Sequence, residues 1–376
     1  MKRDIAIDYL RSSVILAVVA HHSALAYTTF SHYYPADYTK STAPVVDRVR
    51  FMPLDVLVSW NDIFFMSLLF LISGLFVAPS ITRKGVGRFL ADRAKRLGIP
   101  FVVAITLLSP IAFYPSWLLS NSVGRGNFLT SFFSAGRWSP GPAWFIWVLL
   151  IFSVLVAIAY RLIPDLMKKL SWRAGSAGSL VVIVLALNMM AIIPVHMFIP
   201  HQEWFRLAGP FQFPASRSLL YLTWFLVGIA LGAANPGQSL SRENLRLWPL
   251  WLIIGTFGYA AHAIFLSGKY PADTPAWLMK LILSTAFSFC CSFMCLALLG
   301  LARSLFRSNW AAADHFSENA YGIYIFHYGF VTWLQFSLLA LPMPAWVKFL
   351  ITFLAALTLS WFLSALLHKT AARKVL

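Results

Sequence analysis

The sequence predicts an all-α polytopic membrane protein with about ten transmembrane helices and with both termini in the cytoplasm. The chain has 376 residues, of which 59% are hydrophobic and only 11% are charged, whereas soluble domains carry roughly 25% charged residues. Its mean hydropathy is +0.72. Long apolar stretches recur to the C-terminus, and the basic residues collect in the short segments between them. This alternation is typical of a protein that crosses the membrane many times.

The individual spans are apolar windows of about 20 residues, the length that crosses a ~30 Å hydrocarbon core. They lie near 6–27, 58–79, 97–119, 142–163, 177–199, 217–234, 248–267, 277–302, 317–341 and 345–367. The window at 217–234 is short, so a broken helix is an alternative there. Because no loop is long enough for a soluble domain, we expect residues 1–376 to form a single integral membrane domain without a fused extracytoplasmic domain.

The orientation of the bundle follows from the distribution of lysine and arginine. With the N-terminus inside, the inside segments hold 18 basic residues and the outside loops hold 8. Cytoplasmic loops of membrane proteins carry the excess of such residues, so both termini are predicted to be cytoplasmic. The longest loop, residues 28–57, would then face outside.

The formal net charge of +17 is compatible with a nucleic-acid partner, but the pattern is not. The 30 lysines and arginines form short clusters between apolar spans, and no basic domain exists. We therefore expect a lipid bilayer and no nucleic acid as a partner. Cys290, Cys291 and Cys295 share one apolar span without a CxxC motif or a nearby histidine, which predicts buried packing and no metal site.

The first span, "IDYLRSSVILAVVAHHSALAY", carries ionisable groups where an apolar helix needs none. Successive helical residues turn by about 100°, so Arg11 and His22 differ by about 20° and share a face, about 16 Å apart along the axis. Asp8 stands three residues before Arg11, a spacing that lets the two side chains pair. His21 points about 100° away from His22.

An ionisable group inside a span costs about 3 kcal/mol or more unless it is paired or faces a polar cavity. The face that carries Asp8, Arg11 and His22 therefore predicts a functional site. The alternative is structural: Asp8 and Arg11 neutralise each other at the interface, and His22 donates to a neighbouring helix.

A basic segment, "RFLADRAKRLGIPF", follows the second span and carries Arg88, Arg93, Lys95 and Arg96. One interpretation is a topology signal that also contacts anionic lipid. The other is a clamp for the phosphates of an anionic cytoplasmic cosubstrate, since the planar fork of arginine suits phosphate. The sequence leaves both interpretations open.

Five segments, in order along the chain, carry a family resemblance. They are "DYLRSSVILAVVAHH", "FFMSLLFLISGLF", "RAKRLGIP", "GPAWFIWVLLIF" and "SENAYGIYIFHY". Together they resemble the membrane acyltransferase 3 family over most of the chain. The Arg-x10-His pattern of that family falls on Arg11 and His22, and its Arg-x-x-Arg pattern falls on Arg93 and Arg96. One departure is Pro142, which stands before "AWF" where a histidine-containing segment would be expected.

The resemblance implies a ten-helix enzyme of the cell inner membrane. Such an enzyme takes an acyl group, acetyl or succinyl, from acyl-CoA on the cytoplasmic side and delivers it to a hydroxyl of an extracytoplasmic glycan or a similar acceptor. Acyl-CoA is then a cosubstrate, and neither a bound cofactor nor a metal is expected.

The resemblance also assigns roles to residues. His22 would be the catalytic base, with Arg11 and Asp8 beside the passage, because an imidazole of near-neutral pKa can take a proton from a hydroxyl. Arg93 and Arg96, together with Arg88, would bind the nucleotide end of acyl-CoA.

Weaker candidates for the acceptor or channel are Trp144, Tyr324 and His327, for which helix packing is the alternative. Outer-loop residues that could contact an acceptor are His201, Glu203, Tyr33, Tyr34 and Tyr38. A function of a different class also remains open: a transporter or flippase in which Asp8, Arg11 and His22 form a proton or anion relay. The sequence shows no convincing internal repeat, which weighs against that alternative.

Overall fold

The computed structural model is a bundle of long helices. It describes residues 3–121, 124, 126–134, 138–173, 175–201, 203–234, 240–268, 270–271 and 273–376. About 74% of the chain is helical and almost none of it is strand. Within the described ranges, nine helices are long and apolar enough to cross a membrane. The predicted class, an all-α polytopic membrane protein, is confirmed.

The long helices follow one another through the described part of the chain. They are α1 Ile5–Leu25, α2 Pro53–Leu75, α8 Trp144–Leu162, α10 Ala177–Phe198, α11 Ser218–Ala233, α12 Trp248–Leu266, α13 Ala276–Leu305, α14 Ala311–Leu338 and α15 Ala345–His368. Shorter helices are α3 Val77–Lys84, α4 Val86–Arg93, α5 Ile99–Val103, α6 Ser109–Leu118, α7 Phe128–Phe133 and α9 Leu166–Leu170. One antiparallel hairpin pairs β1 Trp204–Arg206 with β2 Gln212–Pro214, with Phe205 opposite Phe213.

The basic segment after the second span is helical. Two π-helical turns, Ala94–Gly98 and Ala104–Leu108, join α4, α5 and α6 into one continuous helix over Val86–Leu118. A π turn admits an extra residue and leaves room for a proline that lacks the N–H of a regular helix, as Pro100 does here. The span predicted at 97–119 therefore begins about ten residues earlier, and it carries the arginines on its own helix.

The two ambiguous spans are both helical. The short window at 217–234 forms an unbroken helix, α11. The window at 317–341 corresponds to α14, which has 28 residues and is long enough to cross, although it is not among the nine most apolar helices. Three tyrosines together with His327 and Gln335 lower its hydropathy, and Tyr324, His327 and Gln335 are buried inside the bundle.

Glycines allow α2 and α11 to approach until their backbones touch. A Cβ added at Gly74 would lie 2.2 Å from the carbonyl oxygen of Phe225, and one added at Gly228 would lie 2.2 Å from that of Leu71. Small residues permit such close packing between membrane helices, where burial of apolar surface gives little driving force. The Ser73–Gly74 pair in "FFMSLLFLISGLF" is therefore a point of close approach between helices, and it fixes α2 against α11.

Both chain termini lie at one end of the bundle. Arg303, near the end of α13, forms two hydrogen bonds of 2.7 Å with the carboxylate of Asp4. Ser364, near the end of α15, donates to Asn319 at 2.9 Å, close to the start of α14. We call this end the predicted cytoplasmic end, and its compartment stays a prediction from the positive-inside rule.

The opposite end, the predicted outer end, is covered by the loop that joins α1 to α2. Asp47 of this loop forms a salt bridge of 2.7 Å with Lys348 of α15, and both side chains are buried. Arg50 donates to the carbonyl oxygens of Ala26 and Ser31 at 3.0 and 3.1 Å. These contacts hold the loop over the end of α1 at which the histidines lie.

Candidate active site

The predicted pair on the first helix is present and belongs to a larger ionic group. Arg11 lies 3.7 Å from the carboxylate of Asp8. Arg3 reaches the same carboxylate at 2.9 Å and also binds Asp314 of α14 at 2.7 Å. Asp8 thus sits between two guanidinium groups, and its charge is shared between the start of α1 and the start of α14. The Asp8 carboxylate raises the pKa of Arg3.

Arg11 borders accessible space. Its side chain is 43% accessible, so a ligand can reach the guanidinium. Ionisable groups of membrane helices are tolerated where they reach such space. We call the accessible space beside Arg11 the passage.

Two of the three predicted donor-binding arginines lie beside that passage. Arg96 is close enough to Arg11 for their charges to interact, and Arg93 interacts with Arg96. Tyr321 of α14 donates to the carbonyl oxygen of Arg96 at 2.6 Å, which fixes the π turn against α14. The structure therefore brings Arg11, Arg93 and Arg96 together as a cationic group, as an anionic donor would require.

Arg88 lies at the edge of this group. Its side chain is exposed on α4, and its charged neighbour is Asp92, which pairs with Lys84. The charge of Asp92 also acts on Arg93 and Arg96, whereas no described contact joins Arg88 to Arg11. Five residues separate Arg88 from Arg93, so the two positions are about 140° apart on the helix.

His22 lies in a cluster of aromatic and imidazole rings in the outer half of the bundle. Its ring centroid is 5.3 Å from that of His327 and 5.1 Å from that of Tyr328, both on α14. The residue is half-buried, and its Nδ1 is buried without a hydrogen-bond partner in the described structure. Buried ring nitrogens are normally satisfied, so this one is available to a ligand, as are those of His21, His196 and His201 elsewhere in the bundle.

His327 shows the same property with a defined tautomer. Its Nδ1 lies 2.7 Å from the carbonyl oxygen of Tyr324. A carbonyl only accepts, so Nδ1 carries the proton of the neutral ring and Nε2 is left as an acceptor. That Nε2 is buried and has no partner among the described residues. His327, which the sequence analysis named as a weaker candidate for the acceptor or channel, therefore lies beside His22, and its role there stays a prediction.

Tyr324 and Trp144 occupy different positions. The hydroxyl of Tyr324 donates to the carbonyl oxygen of Pro142 in a short hydrogen bond, which ties α14 to the segment before α8. Trp144 stacks on Tyr221 of α11 at 5.7 Å and packs edge-on against Trp204 at 5.8 Å. Trp144 therefore lies with the β-hairpin and α11, and no described contact joins it to His22.

Polar side chains from two neighbouring helices hold the backbone around the histidine pair. Gln335 of α14 donates to the carbonyl oxygens of His22 and Ser23 at 3.0 and 3.2 Å. Asn61 of α2 donates to the carbonyl oxygen of Ala17 at 2.9 Å. Sequence reasoning did not single out either residue for this role, because a lone amide in an apolar span shows no periodic pattern.

His21 faces the other side of the helix, as the 100° rotation predicts. Its ring stacks on Phe65 of α2 at 5.2 Å, and its charge would interact with Asp62 and Arg217. Those two residues form a salt bridge of 2.7 Å, and Arg217 also donates to the carbonyl oxygen of Asp62 at 3.0 Å. This second polar cluster was not predicted from the sequence.

Three further histidines complete the second cluster. The rings of His196 and His201 are 3.8 Å apart, and His262 lies 6.4 Å from His201. Burial lowers the pKa of His201 to about 4, so this ring is neutral at pH 7. No group of three or more histidine, cysteine or carboxylate side chains in the described residues has the arrangement of a metal site, and the three cysteines are buried.

The signal that could have revealed the second cluster is the position of its ions. Asp62 and Arg217 both lie within a helical turn or two of the predicted outer boundary of a span, and each is costly there without the other. From the sequence, His201 was expected in an outer loop where it could contact an acceptor, and Arg217 was not singled out. Since α2 and α11 lie about 150 residues apart in the chain, their pairing needed the fold.

The fold and the site together define a polytopic membrane protein whose first helix carries a polar face, with an accessible arginine toward one end and a histidine in an imidazole cluster toward the other. A family model described as an acyltransferase domain, that of acyltransferase family 3, matches residues 4–365. Since this match covers nearly the entire chain, the protein belongs to the acyltransferase 3 family and is a multi-pass membrane acyltransferase. No curated protein matches the chain.

Proposed function

We propose that this acyltransferase takes an acyl group, acetyl or succinyl, from acyl-CoA at the cytoplasmic face of the inner membrane. It delivers the group to a hydroxyl of an extracytoplasmic glycan or a similar acceptor. The observation that carries the proposal is the half-buried ring of His22, whose Nδ1 has no described partner, on the same helix face as the accessible Arg11. Membership of an acyltransferase family favours this function over the transport alternative.

The donor end of the proposal rests on the three arginines beside the passage. Arg11, Arg93 and Arg96 form a cationic group in which the described carboxylate neighbour of Arg11 is shared with Arg3. Guanidinium groups bind phosphate oxygens through paired, charge-assisted hydrogen bonds. The phosphates of acyl-CoA would bind here, and the acyl-bearing arm would extend along α1 toward His22.

The chemical step is an exchange of a thioester for an ester. The imidazole of His22 accepts the proton of the acceptor hydroxyl, and the hydroxyl oxygen attacks the thioester carbonyl. The carbon–sulfur bond then breaks, and the proton passes to the departing CoA thiolate. The ring centroid of His327 lies 5.3 Å from that of His22, and its Nε2 is an acceptor without a described partner. His327 would therefore help to orient the imidazole of His22 during the proton transfer.

The acceptor class rests on residues at the predicted outer end. Asn61–Asp62 and Ala143–Trp144–Phe145 resemble segments of glucan succinyltransferases, which is why succinyl stands beside acetyl in the proposal. Trp204 of the β-hairpin is 42% exposed and borders Trp144, so it offers an aromatic face of the kind on which sugars stack. Tyr38, in contrast, is buried inside the loop after α1.

The proposal is tested with the purified protein in sealed vesicles. Labelled acetyl-CoA or succinyl-CoA is supplied on one side and a glucan acceptor on the other, and both covalent label in the glucan and free CoA thiol are measured. Equal amounts of both products with one donor are expected. Movement of label across the vesicle without covalent attachment would instead identify a transporter.

A further inference from the structure

A large cavity at the predicted cytoplasmic end is separate from the passage along Arg11. Its volume is about 1190 Å³, above the roughly 300–1,000 Å³ of most small-molecule sites. Its walls come from the start of α1, from α3 and α9, and from the ends of α11 and α13.

The cavity faces the opposite side of α1 from the proposed donor site. Ile5 and Ala6 of α1 line it. At about 100° per residue, these positions lie about 120° and 140° away from Arg11 around the helix axis. A ligand in this cavity would thus occupy a different surface of α1 from the one that carries Arg11 and His22.

The described lining is strongly cationic. Its charged side chains are Arg3, Lys168, Arg242, Arg303 and Arg307, opposed by the single carboxylate of Asp4. Asp4 is used by Arg303 in a two-point salt bridge, and Lys168 pairs with Asp165 at 2.9 Å. After these pairs are counted, the charged part of the lining is still net positive, and the remaining lining includes apolar residues such as Ile5, Ala78 and Leu240.

Arg242 and Arg307 supply the uncompensated charge. Each uses its Nε to bind a carbonyl oxygen at the end of α13: Arg242 that of Arg303 at 3.1 Å, and Arg307 that of Ser304 at 2.9 Å. These bonds cap the helix end, as basic residues commonly do. They also hold both guanidinium groups at the cavity while their terminal nitrogens have no carboxylate partner in the described structure.

We infer that this cavity is a second anion site, which binds a phosphate ester at the predicted cytoplasmic face. Two fixed guanidinium groups over an otherwise satisfied lining match a phosphate or diphosphate group. The phosphate comes either from a soluble compound or from the headgroup of an anionic lipid, and the chemistry of recognition is the same.

Occupancy of the cavity is linked to the active site through Arg3. This residue lines the cavity and also binds Asp8 at 2.9 Å, and Asp8 is the partner of Arg11. A phosphate that attracts Arg3 would leave Asp8 to Arg11 alone. The site would therefore act as a regulator of the cationic passage rather than as a part of it.

A thiol-protection experiment tests this inference without measuring turnover. All three native cysteines are buried, so Thr82→Cys places an accessible thiol in the cavity lining. The variant is reconstituted in phosphatidylcholine nanodiscs and labelled with a maleimide dye in the presence and absence of pyrophosphate. A second preparation contains phosphatidylglycerol and no soluble phosphate. We expect labelling to slow at least tenfold in one or both preparations.

The matched variants are Arg242→Gln and Arg307→Gln, each with Thr82→Cys, and Arg246→Gln serves as the control from the same loop. Each cavity arginine should weaken protection roughly tenfold, because each removes charge-assisted contacts, whereas Arg246→Gln should have no effect. Thr370→Cys, an exposed position outside the cavity, should label at one rate throughout.

Protection by pyrophosphate assigns a soluble phosphate, and protection by phosphatidylglycerol assigns a lipid. The inference would be overturned by an absence of protection in both preparations. It would also be overturned if protection were undiminished in the Arg242→Gln variant and in the Arg307→Gln variant. Because no outcome depends on acyl transfer, the proposed enzymatic function is left untouched by a negative result.

Discussion

Two polar clusters lie on either side of the histidine pair of α1, and in the described structure only one of them contains an ion pair. On the α2 side, Asp62 and Arg217 are joined by a salt bridge of 2.7 Å and by a further bond of 3.0 Å to the backbone. On the α14 side, the cluster consists of the rings of His22, His327 and Tyr328. Both clusters keep buried ring nitrogens without described partners, on His22 and His327 in one and on His21, His196 and His201 in the other.

This difference gives the α2 side a structural role that the α14 side does not have. A paired ion inside a helical bundle offsets most of its own desolvation cost, so the Asp62–Arg217 pair joins α2 to α11 without needing a substrate. An unpaired buried nitrogen costs of the order of 1–3 kcal/mol until something binds to it, and both clusters carry that cost. The chemistry proposed for the His22 cluster is favoured by its position on the helix face that also carries Asp8 and Arg11.

The sharpest test of the comparison is His22→Ala. Loss of a general base should lower acyl transfer by roughly 10²–10⁴-fold, while expression and donor binding stay close to those of the wild type. His21→Ala removes the neighbouring ring from the α2 side and should be much milder. Equal losses in both variants, measured as transfer per folded molecule, would assign His22 to helix packing.

The donor end of the passage is tested with Arg93→Ala and Arg96→Ala. Each change removes a charge-assisted phosphate contact of about 1.5–3 kcal/mol, so the donor Kd should rise by roughly 10- to 100-fold. Arg88→Ala is the matched control, since that side chain is exposed and points elsewhere. Donor affinities that are the same in all three variants would make the basic segment a topology signal alone.

The α2 side should respond in stability rather than in chemistry. Asp62→Ala leaves Arg217 without its carboxylate, and we expect the free energy of unfolding to fall by about 1–3 kcal/mol. This is less than for a fully buried pair, because 41% of the Asp62 side chain is accessible to solvent. Thermal unfolding in detergent measures this change. The double variant Asp62→Leu/Arg217→Met should recover stability, and its transfer per folded molecule should stay within about tenfold of the wild type.

The smallest expected effect is that of His327→Gln. Glutamine keeps a polar group near His22 but cannot reproduce the fixed tautomer of the imidazole, so we expect transfer to fall about tenfold, the equivalent of one hydrogen bond. The pH profile of transfer should shift in this variant, because the neutral imidazole of His327 no longer packs beside the ring of His22. An unchanged rate and profile would restrict the site to His22.

The sequence was sufficient for the features that lie along a single helix. Asp8, Arg11 and His22 share one face because of the helical repeat alone, and the close approach at Gly74 follows from small residues. Helical periodicity says nothing about which helix packs opposite, so the pairing of Asp62 with Arg217 and the contact of His22 with His327 needed the fold. Arg88 was grouped with Arg93 because the two are close in sequence, although on a helix their positions are about 140° apart around the axis.

The count of spans also shows which features a single helix reveals and which need the fold. Within the described part of the chain, nine helices are recognised by apolarity, whereas α14 is less apolar because it carries buried polar residues such as His327 and Gln335. Hydropathy is weaker for a helix that contributes polar groups to a site, since these groups lower it. Two π turns were also beyond prediction, because no composition rule marks where a helix admits an extra residue.

The spacing of Arg11 and His22 on α1 also fixes the depth in the membrane that separates the two residues. Eleven residues of helix rise about 16 Å, roughly half of a ~30 Å hydrocarbon core. If the donor's phosphates are held at Arg11, its flexible arm alone carries the acyl group across that depth. The enzyme then needs no rocking of helix bundles to bring donor and acceptor together. The length of the cosubstrate would set how far into the membrane the reaction takes place.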